Sequence, residues 1–142
     1  MLATRNGFAP AMKPASHFIL YVADQRRSAA FYTSVLAIQP RLDIPGMTEY
    51  ALPGGGVLGL MPESAIRRLL GDALPDLAPA RSVPRAELYL VLDAPAAFHQ
   101  RALAAGAIEL SPMQPRSWGH AAAYSQDLDG HVLAFASAVA PA

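Results

Sequence analysis

The residues able to do chemistry gather in a few short stretches. HFILYVAD (17–24) begins on His17 and places Tyr21 on the same side of an alternating run. WGHAAAYSQDLDGH (118–131) holds Trp118, His120, Tyr124, Asp127, Asp129 and His131. Histidine can ligate a metal or move a proton near neutral pH. Tyrosine and tryptophan pair an apolar body with a polar tip, which suits a cleft for a flat molecule of mixed polarity. Glu49 and Tyr50 are neighbours on one run, MTEYALP, so only one of them can face such a cleft. Glu49 there would act as a general base or hydrogen-bond acceptor.

Each candidate has a plainer reading. His17 also fits a partly exposed strand start, Tyr21 a core position, Glu49 a solvated carboxylate and Trp118 a plug at the rim of the core. His120 and Tyr124 share a face by their even spacing, and they could flank a ligand or simply decorate an edge. Met61, in VLGLMP (57–62), would add an apolar contact. His131 is placed to hydrogen-bond within its own turn, and His99 is expected to face solvent.

Several chemistries are excluded. There is no cysteine, so disulfides, zinc thiolates and thiol nucleophiles are absent. Asp127-Leu128-Asp129-Gly130 lacks the further oxygen ligands and closing glutamate of a calcium loop, and a hairpin turn explains it better. Gly54-Gly55-Gly56 precedes no helix start and no Lys-Ser/Thr pair, so it is not a phosphate loop. Eleven basic residues balance eleven acidic ones, which argues against nucleic acid or a charged membrane surface as partner. No apolar run approaches the length of a membrane span, and the first residues lack the apolar core of a signal peptide. A cytoplasmic setting is the expectation.

At 142 residues and 53% hydrophobic content, one packed domain is expected. Residues 1–14, with Gly7, Pro10 and Pro14, read as a tail. A strand at 17–24 leads into a helix on QRRSAAFYTSVLAI, with Asp24 placed to cap it. A strand within 39–43, then MTEYALP and VLGLMP around the glycine turn, completes the first half, 15–62. Residues 63–84 hold a short helix and a proline-rich connection. The second half, 85–137, starts again with AELYLVLD (86–93). A helix follows on APAAFHQRALAAGA, then a short strand at 108–110, a loop at 112–116 and the closing hairpin. Asp24 and Asp93 end corresponding strands, so the chain reads as an α+β fold of two tandem βαβββ modules.

The order of HFILYVADQRRSAAFYTSVLAI, AELYLVLDAPAAFHQRALAAGA and WGHAAAYSQDLDGHVLAFA, with its DxDGH turn before an apolar strand, resembles the vicinal oxygen chelate superfamily. That group includes the glyoxalases, bleomycin resistance proteins and ring-cleaving dioxygenases. The likeness covers nearly everything after residue 15. It implies a curved mixed sheet around a cleft, helices on the convex side, and a homodimer. It also implies four metal-ligand places, falling on His17, Gly59, Ala86 and Ala134. Only the first carries a donor, so no metal centre is expected, although a slip of one residue would replace Ala86 by Glu87. The resemblance then implies a small-molecule-binding protein of the resistance or sequestration type. Its alternative is a metal-dependent lyase, isomerase or dioxygenase with displaced ligands drawn from His17, Glu49, Glu87 and His120.

Overall fold

The computed structural model describes residues 14–139. The expected tail therefore lies outside the described residues, Pro14 excepted. The first module runs β1 (His17–Val22), α1 (Gln25–Leu36), β2 (Leu42–Ile44), β3 (Met47–Ala51) and β4 (Val57–Pro62). α2 (Glu63–Leu70) and two short 3-10 turns make the connection. The second module runs β5 (Glu87–Val91), α3 (Pro95–Ala104), β6 (Ile108–Pro115), β7 (His120–Gln126) and β8 (Val132–Ala138).

Each module folds into its own four-stranded mixed sheet, ordered β1-β4-β3-β2 and β5-β8-β7-β6. In each, the first strand pairs parallel with the last, and the remaining pairs are antiparallel. One face of each sheet is apolar and meets the helices. Leu20, Val22, Tyr50, Leu58 and Leu60 join Phe31, Tyr32, Val35 and Leu36 of α1, and Leu88, Leu90, Leu133 and Phe135 join Phe98 and Ala102 of α3. Burial of each large side chain contributes roughly 1.5–3 kcal/mol. α1 begins where the Asp24 carboxylate accepts the Arg27 N–H at 3.0 Å and ends at Ala37 in the left-handed region, φ 57°.

The modules differ by one residue at the end of their first strand. α3 is capped by Ala94 with no side-chain bond, so Asp93 does not stand where Asp24 does. The ladder says the same. Val57 N–H donates to Ser16 C=O and Val132 N–H to Ala86 C=O, which makes Ala86 the counterpart of Ser16 and Glu87 that of His17. Counting back from the aspartates therefore misplaces the second module by one, and a one-residue slip reverses every face.

The DxDGH turn ties the modules together. Asp127 accepts the N–H groups of Asp129 (2.9 Å) and His131 (2.8 Å) and the hydroxyl of Tyr32 from α1. Asp129 accepts Ala23 N–H at 2.8 Å and Ser28 Oγ at 3.1 Å, placing a carboxylate at the N-terminus of α1. His131 bonds within the turn through its backbone N–H, while its ring Nε2 lies 3.3 Å from the Tyr21 carbonyl oxygen. Gly130 has φ +97°, and a Cβ there would stand 2.5 Å from the Ser82 Cα of the connection.

Two further expectations are corrected. His99 is buried, not solvent-facing, and its Nε2 lies 2.8 Å from Glu109 Oε2, because α3 lays that side against β6. The strand starting at Ile108 continues to Pro115 through what reads as a loop. β6 is an edge strand with register shifts around Ser111 and Gln114, which is where a sheet tolerates Pro112 and Pro115.

Candidate functional site

The sheet faces turned away from the helices carry the candidate residues. On the first module these positions are His17, Ile19 and Tyr21 of β1, with Val57, Gly59 and Met61 opposite them on β4 and Met47 and Glu49 on β3. Glu49 is the acidic centre of this face. Its carboxylate lies 3.0 Å from Arg41 Nε and 3.6 Å from His17 Nδ1, with 12% of its side chain exposed. So His17 and Glu49 come together, with Arg41 as a partner that sequence reasoning missed.

Tyr50 lies elsewhere. It is fully buried on the helix side, donating to Ala29 C=O at 2.8 Å and accepting from Thr33 Oγ1 at 2.9 Å. Burial raises its phenol pKa, with Asp43 adding to the effect and the Thr33 bond opposing it. Alternation along β3 lets only one of the two neighbours face outward, and Glu49 is the one.

The second module presents aromatic groups instead. Tyr89 of β5 meets His120 of β7, with its hydroxyl 2.6 Å from His120 Nδ1 and the rings stacked at 5.8 Å. Trp118 donates its indole N–H to the same hydroxyl at 2.9 Å. The Tyr124 ring lies beneath the Arg116 guanidinium, 5.0 Å from ring centre to Cζ. Burial is the main cause of the raised Tyr124 pKa, with Glu87 and Tyr89 adding and Arg116 opposing. Arg116 itself is held by the carbonyl oxygens of Ala122 and Pro112 and by Ser111 Oγ.

Tyr89 and His120 belong to strands separated by β8, so the phenol has to cross the outward face of β8. That face is Ala134, Ala136 and Ala138, the first two fully buried. The absence of any bulky or polar side chain at these three outward positions is what lets Tyr89 reach across. Tyr89 went unnoticed in the sequence because it sits in an apolar strand. The usable signal was its period-two relation to Glu87, opposite a strand of alanines.

A divalent metal of the kind the resemblance implies wants three or four His, Asp or Glu donors. The equivalent ladder places here are His17 and Gly59 in one module and Glu87 and Ala134 in the other. A Cβ on Gly59 would stand 3.0 Å from Met47 Sδ and 3.1 Å from Ile19 Cγ1, so apolar atoms already fill the space where a ligand side chain would start. Ala134 is buried without a donor. Among the described residues no three His, Cys, Asp or Glu side chains converge. The residues present do not fit that metal centre.

The sequence profile of the Glyoxalase/Bleomycin resistance protein/Dioxygenase superfamily matches residues 15–135. No curated protein matches the chain. Solved structures share its fold. A glyoxalase-related enzyme from Fulvimarina pelagi is 23% identical, with TM-score 0.69, covering 89% of this chain and 88% of that one. A glyoxalase/bleomycin resistance protein/dioxygenase from Nocardioides is 21% identical, with TM-score 0.70, covering 95% of this chain and 89% of that one. A family enzyme from Burkholderia phytofirmans PsJN is 18% identical, with TM-score 0.69, covering 87% of this chain and 98% of that one. With the match running through both modules, the chain belongs to the glyoxalase/bleomycin resistance protein/dioxygenase superfamily.

Proposed function

We propose that this protein binds a small, flat, largely aromatic molecule on its outward sheet faces and does so without the metal centre usual in its superfamily. The observation that carries this reading is the filling of the two donorless ladder places. Met47 and Ile19 crowd Gly59, and Tyr89 crosses the alanine face that includes Ala134. Trp118, Tyr89, Tyr124 and His120 then form an aromatic wall with polar tips, and Tyr21, Met61, His17 and Glu49 supply the first module's share. A homodimer would close over the exposed Ile19, Ile44, Val91 and Trp118. No helix among the described residues is long and apolar enough to cross a membrane, and a cytoplasmic, ligand-sequestering protein fits this reading.

The alternative, a metal-dependent lyase, isomerase or dioxygenase, draws its support from the closeness of His17 and Glu49 and from Glu87 standing at His17's ladder place. It needs a third donor that the described residues do not bring to them. Trp118 is the only tryptophan and is 53% exposed, so its emission reports on the wall directly. Titration with bleomycin and with a panel of planar aromatic compounds should give a saturable change that added chelator does not abolish. A flat response to the whole panel, or binding that requires added divalent metal, would contradict the proposal.

A further inference from the structure

We propose that the cleft at the end of the second module's sheet seats a protonated aromatic amine, its ammonium on Asp93 and its ring against Val91 and Phe98. This rests on the binding reading above and narrows it to an organic cation at a named place. The cleft has a volume of about 820 Å³, within the usual range for small-molecule sites. Val91, Asp93 and Phe98 line it where β5 runs into α3, Ala138 lines the β8 side, and Pro53 of the first module completes it. Exposed Val91, Val139 and Trp118 add an apolar rim. Val139 N–H donates to Gly119 C=O at 3.0 Å, which sets the Trp118–Gly119 segment beside the end of β8. Asp93 is the only charged residue of the lining.

The two strand-ending aspartates have different employment. Asp24 follows β1, and its carboxylate accepts the Arg27 N–H at the start of α1. Asp93 follows β5 but stands one place too early to do the same, and Ala94 holds the capping position of α3 with no side-chain bond. Among the described residues Asp93 forms no ion pair. Its side chain is exposed, so holding the charge there costs little, and that charge belongs to the cleft rather than to the fold.

The neighbouring charges leave the cleft negative. The uncapped first turn of α3 carries about half a positive charge, whereas Asp93 beside it carries a full negative one. Arg101 lies over the Phe98 ring, 4.4 Å from its centre, and donates to Val35 C=O at 3.1 Å, so it is turned toward α1. Arg116 is engaged by the Ala122 and Pro112 carbonyl oxygens and stands over Tyr124. An ammonium therefore finds its partner at Asp93, while the apolar lining takes the aromatic body.

The test is calorimetric titration of the full chain at neutral pH with 2-naphthylmethylamine, its neutral isostere 2-naphthylmethanol and the anion 2-naphthoate. The amine is expected to bind about fivefold tighter than the alcohol, the upper range for an exposed charge pair, and naphthoate more weakly than either. Added salt should shrink the preference toward unity. Asp93→Asn should bring the amine down to the level of the alcohol and leave the alcohol unchanged, and Asp93→Glu should keep most of the preference. Asp24→Asn, the same change at the capping aspartate, should leave all three affinities as they were. Equal binding of amine and alcohol, tightest binding of naphthoate, or a preference that survives Asp93→Asn overturns this inference and leaves the aromatic-binding reading standing. A Kd for the amine that rises with protein concentration gives the cleft to a second copy of the chain and overturns it too. No binding of any of the three overturns the inference, and the aromatic panel then decides the broader reading.

Discussion

The two modules share one ladder and fill it with opposite chemistry. At equivalent places the first has His17, Ile19, Glu49 and Gly59, and the second has Glu87, Tyr89, Tyr124 and Ala134. The first gathers charge, with Glu49 held between Arg41 and His17. The second has only alanines, Ala134, Ala136 and Ala138, on the stretch of β8's outward face that Tyr89 crosses. The turns before the last strands differ as well. Pro53–Gly55 carries no side chain that bonds the other module's helix, whereas Asp127 and Asp129 clamp onto α1. The modules share a backbone plan, and only in the second does the turn before the last strand tie the two together.

The turns give the largest contrast. Gly130→Ala forces a Cβ to within 2.5 Å of Ser82 Cα at φ +97°, and it should cost about 3–5 kcal/mol in urea unfolding. Gly54→Ala, at φ +86° with nothing within 4 Å, should cost only about 1 kcal/mol. Equal losses would mean that the two turns carry equal weight.

Next comes Tyr32, whose hydroxyl donates to buried Asp127. Burial raises its pKa well above 10.0, and the Asp127 charge and hydrogen bond raise it further. The folded state therefore keeps a proton that the unfolded chain loses. This contribution is complete below about pH 10, the ordinary phenol value, and is lost as pH climbs through the raised folded value. Tyr32→Phe should cost about 1–3 kcal/mol at neutral pH by leaving the carboxylate short of a donor. It should also flatten the alkaline slope of unfolding midpoints measured between pH 8 and 11. An unchanged slope would remove Tyr32 from the account of that junction.

A smaller effect on stability, but a clear one on binding, is expected at the outward faces. Ala136→Leu places a branched side chain under the path of Tyr89. It should weaken aromatic ligands at least about tenfold, or ~1.4 kcal/mol, in a Trp118 titration. Gly59→Ala presses a Cβ to 3.0 Å from Met47 Sδ and 3.1 Å from Ile19 Cγ1, so it should cost about 1–2 kcal/mol of stability and change binding hardly at all. The reverse ranking would move the binding chemistry to the first module.

Strand and helix periodicity was legible because burial of one face enforces it. Phe18, Leu20 and Val22 against His17, Ile19 and Tyr21 reads directly from the letters, as does the Asp24 cap. The one-residue offset was not, since it depends on which carbonyl accepts Val132 N–H, and Asp93 imitates a cap it does not make. The proline-bearing edge strand β6 was hidden because propensity argues against it and only its pairing with β7 establishes it. Of the site, His17, Glu49, Trp118, His120 and Tyr124 could be picked out by type and spacing. Tyr89, Arg41 and Arg116 could not, because each matters through a partner distant in sequence or through a loop whose course sequence does not dictate.

The most direct test of the central claim is the metal content of untagged protein, purified without chelator, by elemental mass spectrometry. Only trace, substoichiometric metal is expected, since Gly59 and Ala134 offer no donor and their surroundings are filled. Near-equimolar nickel, zinc, iron or manganese would contradict the metal-free reading and turn attention to His17, Glu49 and Glu87 as ligands.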